Sequence, residues 1–502
     1  MKLGQCCNIP PSAIMWLYVL FLTVFPVLVS SVPVHLKARV DNGTEPKYVF
    51  AHHMVGNTYP YTVDDWKEDI ALASAHGIDA FALNIGSDSW QPNQVKNAYT
   101  AAEQSGSNFK MFISFDMTIL PCASSGDAAQ LRNYITTYAN HAAQFKYDNK
   151  VFASTFAGDT CTFGQANAAQ GWQSQFTSQL TGANAVFFVP SFFVDPEQFG
   201  DYANAIDGMF NWNAAWPISV TTGVFNEIVM QAGAAVGKLL SSSSSPLTTQ
   251  ISEAVQNVTS SLDSDHQYID ALNKMGNKLY MSSVSPWFFT HYSAQSFDKN
   301  FLYLSDQLYP SRWQSIISAR DQIPMVEVLT WNDYGESSYV GPIKGAQPNS
   351  QQWVDGFNHT AFLDLTQYFV TAYKNGSYPP VQEDKLYLWA RPHTKDAQAT
   401  SDSIGKPENA DVLEDALFAV VLATSPAEVT LSTKSINKTV SVKEGLTQLS
   451  LPLEAGDTMS ASLSRNNQIA VQLVPNNFTF EGSPQTYNFN AFASFASGTN
   501  PN

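Results

Sequence analysis

Eight short apolar segments recur along the first two thirds of the chain, and most are separated by stretches with the residue pattern of helices. They are Tyr48 to Gly56, Ala80 to Gly86, Lys110 to Met117, Val151 to Gly158, Ala185 to Val194, Asp207 to Pro217, Leu279 to Thr290 and Met325 to Ser337. Near-continuous apolar strands are typical of a parallel sheet that is covered on both faces. Eight of them predict an α/β fold, a closed (β/α)8 TIM barrel over residues 45–378. The runner-up is an open doubly wound sheet, although no glycine-rich phosphate loop follows the first strand.

The stretch between the first two segments shows the expected helix signals. Trp66 and Ile70 lie at helical spacing, Thr62 or Asp64 can cap the start, and Gly77 can stop the helix. The connection between the sixth and seventh segments is longer. It contains the serine run 241–245, which we interpret as a flexible excursion between two helices.

From about residue 381 the pattern changes to short alternating strands with turn signals. This pattern predicts a smaller C-terminal β-sandwich domain over residues 381–485, followed by a C-terminal tail over residues 486–502. The domain is either a carbohydrate-binding module or a structural cap on the barrel. We favour the cap, because the strands show no solvent-facing row of aromatic residues.

Polar and aromatic side chains recur at the ends of the predicted strands, where barrel enzymes carry their catalytic groups. The candidates for substrate binding are His52, Asn84, Asp116, Asp159, Asn211, Trp212, Trp287, Trp331, Asn332 and Tyr339. Asp116 and Asp159 are expected to hold sugar hydroxyls. His52 is equally well explained as a core residue, and the same holds for Trp212 and Trp287 as alternatives to sugar stacking.

The last apolar segment breaks directly into WNDYGES, which places Asp333 and Glu336 in a loop after a buried strand. The alternative reading is an acidic, solvated turn. Glycoside hydrolysis needs one carboxyl group to protonate the leaving oxygen and another to act on water or on carbon. Burial among Trp331, Tyr334 and Tyr339 is expected to raise one of the two pKa values by desolvation. We therefore predict Asp333 and Glu336 as the catalytic pair.

The net charge of the chain argues against some classes of binding partner. Acidic residues outnumber basic ones, 43 against 26, for a net charge of −17. The long-range field therefore repels nucleic acid and anionic membranes, and it suits a neutral substrate. No clustered Cys/His spacing indicates zinc, and no Gly-x-Ser-x-Gly elbow indicates a serine hydrolase; a structural calcium ion stays open. We expect a monomer without cofactor or metal that acts on a polysaccharide.

Residues 1–31 have the outline of a secretory signal peptide, with an apolar core too short for a comfortable membrane span. The alternative is an uncleaved anchor. Cys122 and Cys161 remain after cleavage, and a single pair in an exported chain predicts one disulfide. Glycosylation sequons occur at Asn42, Asn257, Asn358, Asn375, Asn437 and Asn477. We expect a secreted glycoprotein, extracellular or cell-wall associated, without membrane contact after cleavage.

Seven segments resemble glycoside hydrolase family 71, the fungal α-1,3-glucanases also called mutanases. They are VFAHHMVGNTYPYTVDDWKEDI, GIDAFALNIG, FISFDM, STFAGD, GMFNWNAAWP, YMSSVSPWFFTHY and VLTWNDYGESSYVGPI. The resemblance covers essentially the whole barrel, and LYLWARPH is similar to the start of the family's trailing β-domain. Ser338, Asp159 and His53 depart from the family pattern, where histidine, glutamate and phenylalanine are usual. The first two lie at the predicted active face, so the departures bear on rate and subsites more than on reaction class.

The resemblance implies endo-hydrolysis of α-1,3-glucan with inversion of anomeric configuration. Inversion needs about 6.5–9.5 Å between the two carboxyl groups, so that a water fits. Our hypothesis makes Glu336 the general acid and Asp333 the general base. Two alternatives stay open: a secreted protein that binds the cell wall or its α-glucan without turnover, and a retaining glucosidase that acts on another α-glucan.

Overall fold

The structure is a computed structural model that describes residues 46–216 and 260–498. The predicted signal peptide, the sequons at Asn42 and Asn257, and the serine run 241–245 lie outside the described residues. The sequons at Asn358, Asn375, Asn437 and Asn477 lie within them, and all four asparagines are exposed.

All eight predicted barrel segments contribute a strand to one curled sheet. The strands of this part of the chain are β1 (Tyr48–Met54), β2 (Ala80–Ile85), β3 (Lys110–Asp116), β4 (Lys146–Tyr147), β5 (Lys150–Phe156), β6 (Val186–Phe188), β7 (Gly208–Phe210), β8 (Leu279–Val284), β9 (Phe289–His291), β10 (Asn300–Leu302) and β11 (Met325–Val328). The order is β6-β5-β3-β2-β1-β11-β8-β7, and every pair in it is parallel where strands are hydrogen-bonded. The short β4 joins β5 in antiparallel fashion, and β9 pairs with β10 as a separate hairpin.

Helices follow most of these strands. The α-helices are Val63–Ala75, Gln91–Gln104, Ser125–Tyr138, Ala168–Gly171, Asp263–Lys274, Leu308–Ser318, Gln351–Val354 and Thr360–Asn375. Of the two predicted N-caps, Thr62 and Asp64, the structure has Thr62: Thr62 and Asp65 form a reciprocal capping box, and Gly77 follows the helix end with a positive φ of 82°. Within the described ranges, no helix has the length and hydropathy needed to cross a membrane.

Four strands are shorter than predicted, for local reasons. Proline lacks the N–H that a strand ladder needs. Pro190 therefore limits the length of β6, and Pro286 separates β8 from β9. After β7, the side chain of Asn211 accepts a hydrogen bond from the Ala214 amide and starts a 3₁₀ turn, Trp212–Ala215. β11 ends at Val328, and the rest of the predicted segment forms a loop.

The inside of the curled sheet is apolar at one end and polar at the other. Phe50, Phe112, Phe152, Met281 and Met325 form one buried cluster on the inner face. Side chains two residues apart on a strand point to the same face. His52, Asn84 and Asp116 therefore lie on that inner face, nearer the C-terminal strand ends.

A buried ion pair joins two of the outer helices to this sheet. The Arg312 guanidinium donates from both terminal nitrogens to the two carboxylate oxygens of Asp265, each at 2.7 Å. Tyr280 and Ser282 on β8 donate to the same carboxylate at 2.6 and 2.7 Å. Both charged side chains are almost fully buried, so the pair depends entirely on protein partners.

The last third of the described chain forms two antiparallel sheets. Their strands are β12 (Asp384–Ala390), β13 (Ala416–Ala423), β14 (Ala427–Thr433), β15 (Asn437–Val442), β16 (Gly445–Pro452), β17 (Met459–Arg465), β18 (Gln468–Leu473) and β19 (Phe492–Gly498). The sheet orders are β16-β13-β12-β19 and β15-β14-β17-β18, and both sheets contribute to one apolar cluster.

The predicted tail, residues 486–502, needs correction. β19 lies within it and pairs along the whole of β12. Its sequence, FASFASG, alternates weakly, because small residues replace the β-branched residues that mark most strands. The pattern of apolar residues therefore did not reveal it.

Candidate active site

The WNDYGES loop is held in a fixed shape by its own hydrogen bonds. The amide of Asp333 donates to the Thr330 hydroxyl at 2.7 Å, and the amide of Glu336 donates to a carboxylate oxygen of Asp333 at 3.2 Å. The Thr330 amide donates to the Ser338 carbonyl, and the Val340 amide donates to the Thr330 carbonyl, which closes the loop at its base. Both carboxyl groups thus follow directly after β11.

Asp333 and Glu336 differ in their electrostatic surroundings. Burial, followed by the charge of Glu336, raises the pKa of Asp333 to about 7, and the Lys299 cation offsets only part of this rise. Glu336 instead accepts a charged hydrogen bond from Lys299 Nζ at 2.8 Å. The loop therefore presents one carboxyl group that can hold a proton near neutral pH beside one that is ion-paired.

Lys299 was not predicted from the sequence. It sits at the turn of the β9–β10 hairpin, which folds back over the loop, and its carbonyl accepts a hydrogen bond from the Tyr292 amide. Burial lowers the pKa of Lys299, but the charges of Glu336, Asp333 and Asp116 outweigh it, and the pKa lies above its ordinary value. A lone lysine in a polar segment carries no sequence signal for such a position.

Three of the predicted substrate-binding residues lie on the inner face of the sheet, and Trp212 lies beside them. The charge of Asp116 acts on both Asp333 and Lys299, which places it beside the carboxyl pair. Asn84 ends β2, and the half-buried Trp212 packs against the edge of the His52 ring at 4.8 Å. These four side chains, His52, Asn84, Asp116 and Trp212, form the polar inner end of the sheet.

The aromatic residues Trp331 and Tyr339 pack into the protein interior and hold the loop in place. Trp331 is buried against Phe81, with the ring centroids 5.0 Å apart, and Tyr339 is buried and stacks on His359 at 4.1 Å. Neither ring has a free face for a sugar, so the prediction that they bind substrate is not supported by their positions. Asn332 is buried as well. Its side-chain oxygen accepts a hydrogen bond from the Met54 amide at 2.7 Å, and its side-chain nitrogen donates to the Met54 carbonyl at 3.1 Å.

Three further candidates use their polar atoms within the protein. Asn211 donates to Ser264 and Tyr280. Trp287 is buried, and its indole N–H donates to the Phe489 carbonyl at 2.8 Å. Asp159 accepts a hydrogen bond from the Phe193 amide at 3.3 Å in the loop that follows β5. These contacts account for Asn211 and Trp287 by packing, whereas Asp159 is only half-buried and stays a predicted substrate-binding residue.

Glu327 is a second residue that the sequence did not single out. It lies in the middle of β11, fully buried, and one carboxylate oxygen contacts Nδ1 of His52 at 2.7 Å. Burial raises the pKa of Glu327, and the hydrogen bond and charge of His52 offset only part of the rise. The sequence feature that could have identified Glu327 is its position as a charged residue inside the otherwise apolar run MVEVL.

The predicted disulfide is confirmed. Cys122 and Cys161 are bonded, with their Cα atoms 5.1 Å apart. The amide of Phe163 donates to the Cys122 carbonyl beside it. The bond therefore ties the loop after β3 to the loop after β5 at the end of the sheet that carries the carboxyl pair.

Gly335 lies in the WNDYGES loop against Tyr292. A Cβ atom at this position would overlap the Tyr292 hydroxyl and would lie in tight contact, 3.2 Å, with two carbons of its ring. We expect Gly335→Ala to displace the loop and to lower both the hydrolytic rate, by more than about tenfold, and the thermal midpoint. Enzyme assay and thermal unfolding measure the two effects.

Tyr292→Phe in the same chain removes the nearest clash, and we expect it to restore part of the activity of Gly335→Ala. The matched control is Gly200→Ala, because a Cβ atom at Gly200 meets nothing within 4 Å. Full activity in Gly335→Ala would contradict the tight packing of the loop on Tyr292.

Comparison with known proteins identifies the family of the chain. The family model described as Glycosyl hydrolase family 71 matches residues 45–501. A Schizosaccharomyces pombe protein named as a glucan endo-1,3-alpha-glucosidase is 39% identical over 459 residues, which cover 91% of this chain and 96% of that protein. A Penicillium rubens mutanase is 32% identical over 468 residues, 92% of each chain.

Among solved structures, a GH99 endo-alpha-mannosidase from Bacteroides thetaiotaomicron aligns with a TM-score of 0.44 at 11% identity, covering 66% of this chain and 99% of that chain. This likeness is too distant to add to the argument. The family model spans every described residue, including the carboxyl pair and both antiparallel sheets. The chain therefore belongs to glycosyl hydrolase family 71.

Proposed function

We propose that this protein is a secreted endo-acting enzyme that hydrolyses α-1,3-glucosidic bonds in α-1,3-glucan. The observation that carries the proposal is the Asp333–Glu336 pair: one carboxyl group has a pKa of about 7, and the other is ion-paired to Lys299. Family membership and the names of the relatives support the substrate class.

We assign the general acid to Asp333 and the general base to Glu336, which reverses the assignment expected from the sequence. Asp333 keeps a proton near neutral pH and donates it to the leaving glycosidic oxygen. Glu336, which is ion-paired to Lys299, takes a proton from a water that attacks C1 from the opposite face. The glycosidic bond breaks as the C1–O bond to water forms, and an inverting reaction yields the β-anomer.

The surroundings of the pair support an open substrate cleft. Large apolar side chains are exposed on four loops at this end of the sheet, at Tyr59, Ile119, Phe193 and Phe297. Exposed rings at the edge of a polar site are suited to stack on the faces of sugar units. Exposed apolar positions on several loops fit an enzyme that contacts more than one sugar unit of a chain.

We further propose that the curled sheet closes into a (β/α)8 barrel between β6 and β7. Support comes from two backbone hydrogen bonds of 2.8 Å across this gap, from the Asp207 amide to the Phe188 carbonyl and from the Phe210 amide to the Pro190 carbonyl. The two antiparallel sheets then form a β-sandwich that caps the barrel. Its contact includes a 2.7 Å hydrogen bond from the Trp389 indole to the Asp306 carbonyl.

Secretion, glycosylation and a monomeric state complete the proposal. The exposed positions of Asn358, Asn375, Asn437 and Asn477 are compatible with attached glycans, and the disulfide fits an oxidising compartment. Expression with the natural leader, followed by mass spectrometry and light scattering of the medium protein, tests all three points.

The decisive experiment is proton NMR of the anomeric signals during the first turnovers of α-1,3-glucan oligosaccharides, with starch oligosaccharides and the Asp333→Asn variant as controls. We expect β-anomer from α-1,3-glucan alone. Initial α-anomer would indicate a retaining enzyme, and release from starch would indicate another α-glucan as substrate. Glucan binding without release would indicate a binding protein that lacks turnover.

The Lys299 cation makes a testable contribution to the pH profile. It lowers the pKa of Asp333, so Lys299→Met raises that pKa further. The general acid must be protonated, and activity falls as pH rises through its pKa. The alkaline limb of kcat/KM is therefore expected to move to higher pH by about 0.5–1 unit. Lys299→Arg keeps the charge and is expected to keep the limb in place; a shift to lower pH in Lys299→Met would contradict the assignment of Asp333.

A further inference from the structure

The buried pair formed by Glu327 and His52 lies directly beneath the catalytic loop. The two residues stand on neighbouring parallel strands, β11 and β1, and their side chains share the inner face of the sheet with Met325 and Phe50. Oε1 of Glu327 lies 2.7 Å from Nδ1 of His52. The His52 carbonyl also accepts a hydrogen bond from the Trp331 amide at 2.7 Å, which fixes the start of the WNDYGES loop over the pair.

Stability alone does not account for an ionisable pair in this place. Exposed fractions of 0% for Glu327 and 1% for His52 mean that both groups have lost their water. Replacing a buried ion pair by apolar side chains of similar volume is often neutral or stabilising. The neighbouring inner positions of the sheet are in fact filled by phenylalanine and methionine.

Each member of the pair has one polar atom without a partner among the described residues. These atoms are Nε2 of His52 and Oε2 of Glu327. Buried polar atoms nearly always have a hydrogen-bond partner, so an ordered water or a ligand group is expected at these atoms, as it is at Nδ1 of His53. The rings of His52 and Trp212 are nearly perpendicular with their centroids 4.8 Å apart, and Trp212 is itself only half-buried at the polar end of the sheet.

We propose that Glu327 is a positioning residue that holds His52 by Nδ1, so that Nε2 binds a hydroxyl of the glucosyl unit next to the cleaved bond. This inference rests on the proposed function, because it takes a neutral sugar as the ligand. A sugar hydroxyl both donates and accepts, so it satisfies Nε2 whichever proton the ring carries. Glu327 fixes the ring orientation, as carboxylates do for many functional histidines.

The test combines enzyme variants with substrates that lack one hydroxyl. The probes are α-glucosyl fluoride and its 2-, 4- and 6-deoxy analogues, for which kcat and KM are measured separately. The wild-type protein is expected to lose about tenfold to a hundredfold in kcat/KM on one analogue, beyond the intrinsic difference in reactivity. In His52→Phe and Glu327→Leu that particular penalty is expected to disappear, because the hydrogen bond is already missing.

His52→Phe and Glu327→Leu act on one unit, so the double variant is expected to be no slower than the slower single variant. If Glu327→Leu does not fold, Glu327→Gln serves in its place, since it keeps the size of the side chain. Its partial loss of the same deoxy penalty is then the expected result.

His53→Phe is the matched control. His53 is the next residue on β1, is equally buried, and pairs with a carboxylate, Asp69, at 3.2 Å, but on the outer face of the sheet. It is expected to change the thermal midpoint and to leave the deoxy penalty as in the wild type.

The inference is overturned if the wild-type protein cleaves α-1,3-glucan while His52→Phe and Glu327→Leu keep every deoxy penalty. A wild-type protein without activity on α-1,3-glucan would instead overturn the proposed function. The two failures are therefore distinguishable in one set of measurements.

Discussion

Asp333→Asn is expected to lower the rate of α-1,3-glucan hydrolysis by about 10²–10⁴-fold, because a positioned acid or base contributes that much to the rate. Glu336→Gln is expected to lose a similar factor. Asp321→Asn is the control, since its carboxylate is 91% exposed and it precedes β11, at the opposite end of that strand from the loop. Reducing-end release from α-1,3-glucan measures all three.

A substrate with a good leaving group separates the two roles. Fluoride departs from α-glucosyl fluoride without protonation, so Asp333→Asn is expected to retain most of its activity on this substrate. Glu336→Gln is expected to lose activity on both substrates, because the attacking water still needs a base. The opposite pattern would restore the assignment with Glu336 as the acid.

Asp333→Asn is also expected to change the stability of the folded protein, by an amount that depends on pH. The pKa of Asp333 in the folded protein, about 7, lies above the value of an unfolded aspartate. Its contribution to stability is therefore complete below the unfolded pKa and is lost as pH rises through about 7. The thermal midpoint of Asp333→Asn relative to the wild type is thus expected to increase between pH 5 and pH 8.

Arg312→Met is expected to lower the free energy of unfolding by about 3–5 kcal/mol, since it leaves the Asp265 carboxylate buried without its counter-charge. Burial raises the pKa of Asp265, but Arg312 and the hydroxyl donors outweigh it, and the pKa lies below its ordinary value. The pair therefore stabilises the fold above the unfolded pKa of aspartate, and this contribution is lost as pH falls through the folded pKa. Urea unfolding at neutral pH measures the loss.

Two further variants make this prediction specific. Adding Asp265→Asn to Arg312→Met removes the isolated charge, and we expect it to recover part of the lost stability. Lys67→Met breaks an exposed ion pair with Asp64, and it is expected to cost less than about 1 kcal/mol. Equal losses in Lys67→Met and Arg312→Met would show that burial is not the cause.

The sequence allowed the eight parallel strands to be predicted, because a strand buried on both faces must be apolar throughout. It also located Asp333 and Glu336, which follow such a strand. Which aromatic residues are buried in the core and which are accessible to a sugar was not predictable. Trp331 and Trp212 have the same chemistry, and only the packing of distant segments leaves Trp212 half-buried while Trp331 is enclosed.

Lys299 and Glu327 show a second limit of prediction from the sequence. Lys299 reaches the loop because a hairpin folds back over it, and the partner of Glu327 lies 275 residues earlier in the chain. Such pairings depend on tertiary structure, and no local pattern encodes them. The final β-strand was missed altogether for a related reason, since β19 is specified by its pairing with β12 more than by its own residues.

The segment that precedes β19 has a consequence for the order of biosynthesis. Asn490 donates to the Tyr339 hydroxyl, Phe489 accepts from Trp287, and the Ala491 carbonyl lies 3.0 Å from His359. A ribosome makes Tyr339 about 150 residues before these partners exist. We therefore expect the catalytic loop of a nascent chain to lack its final support, so that activity arises only after residues 489–491 have been made and have left the ribosome.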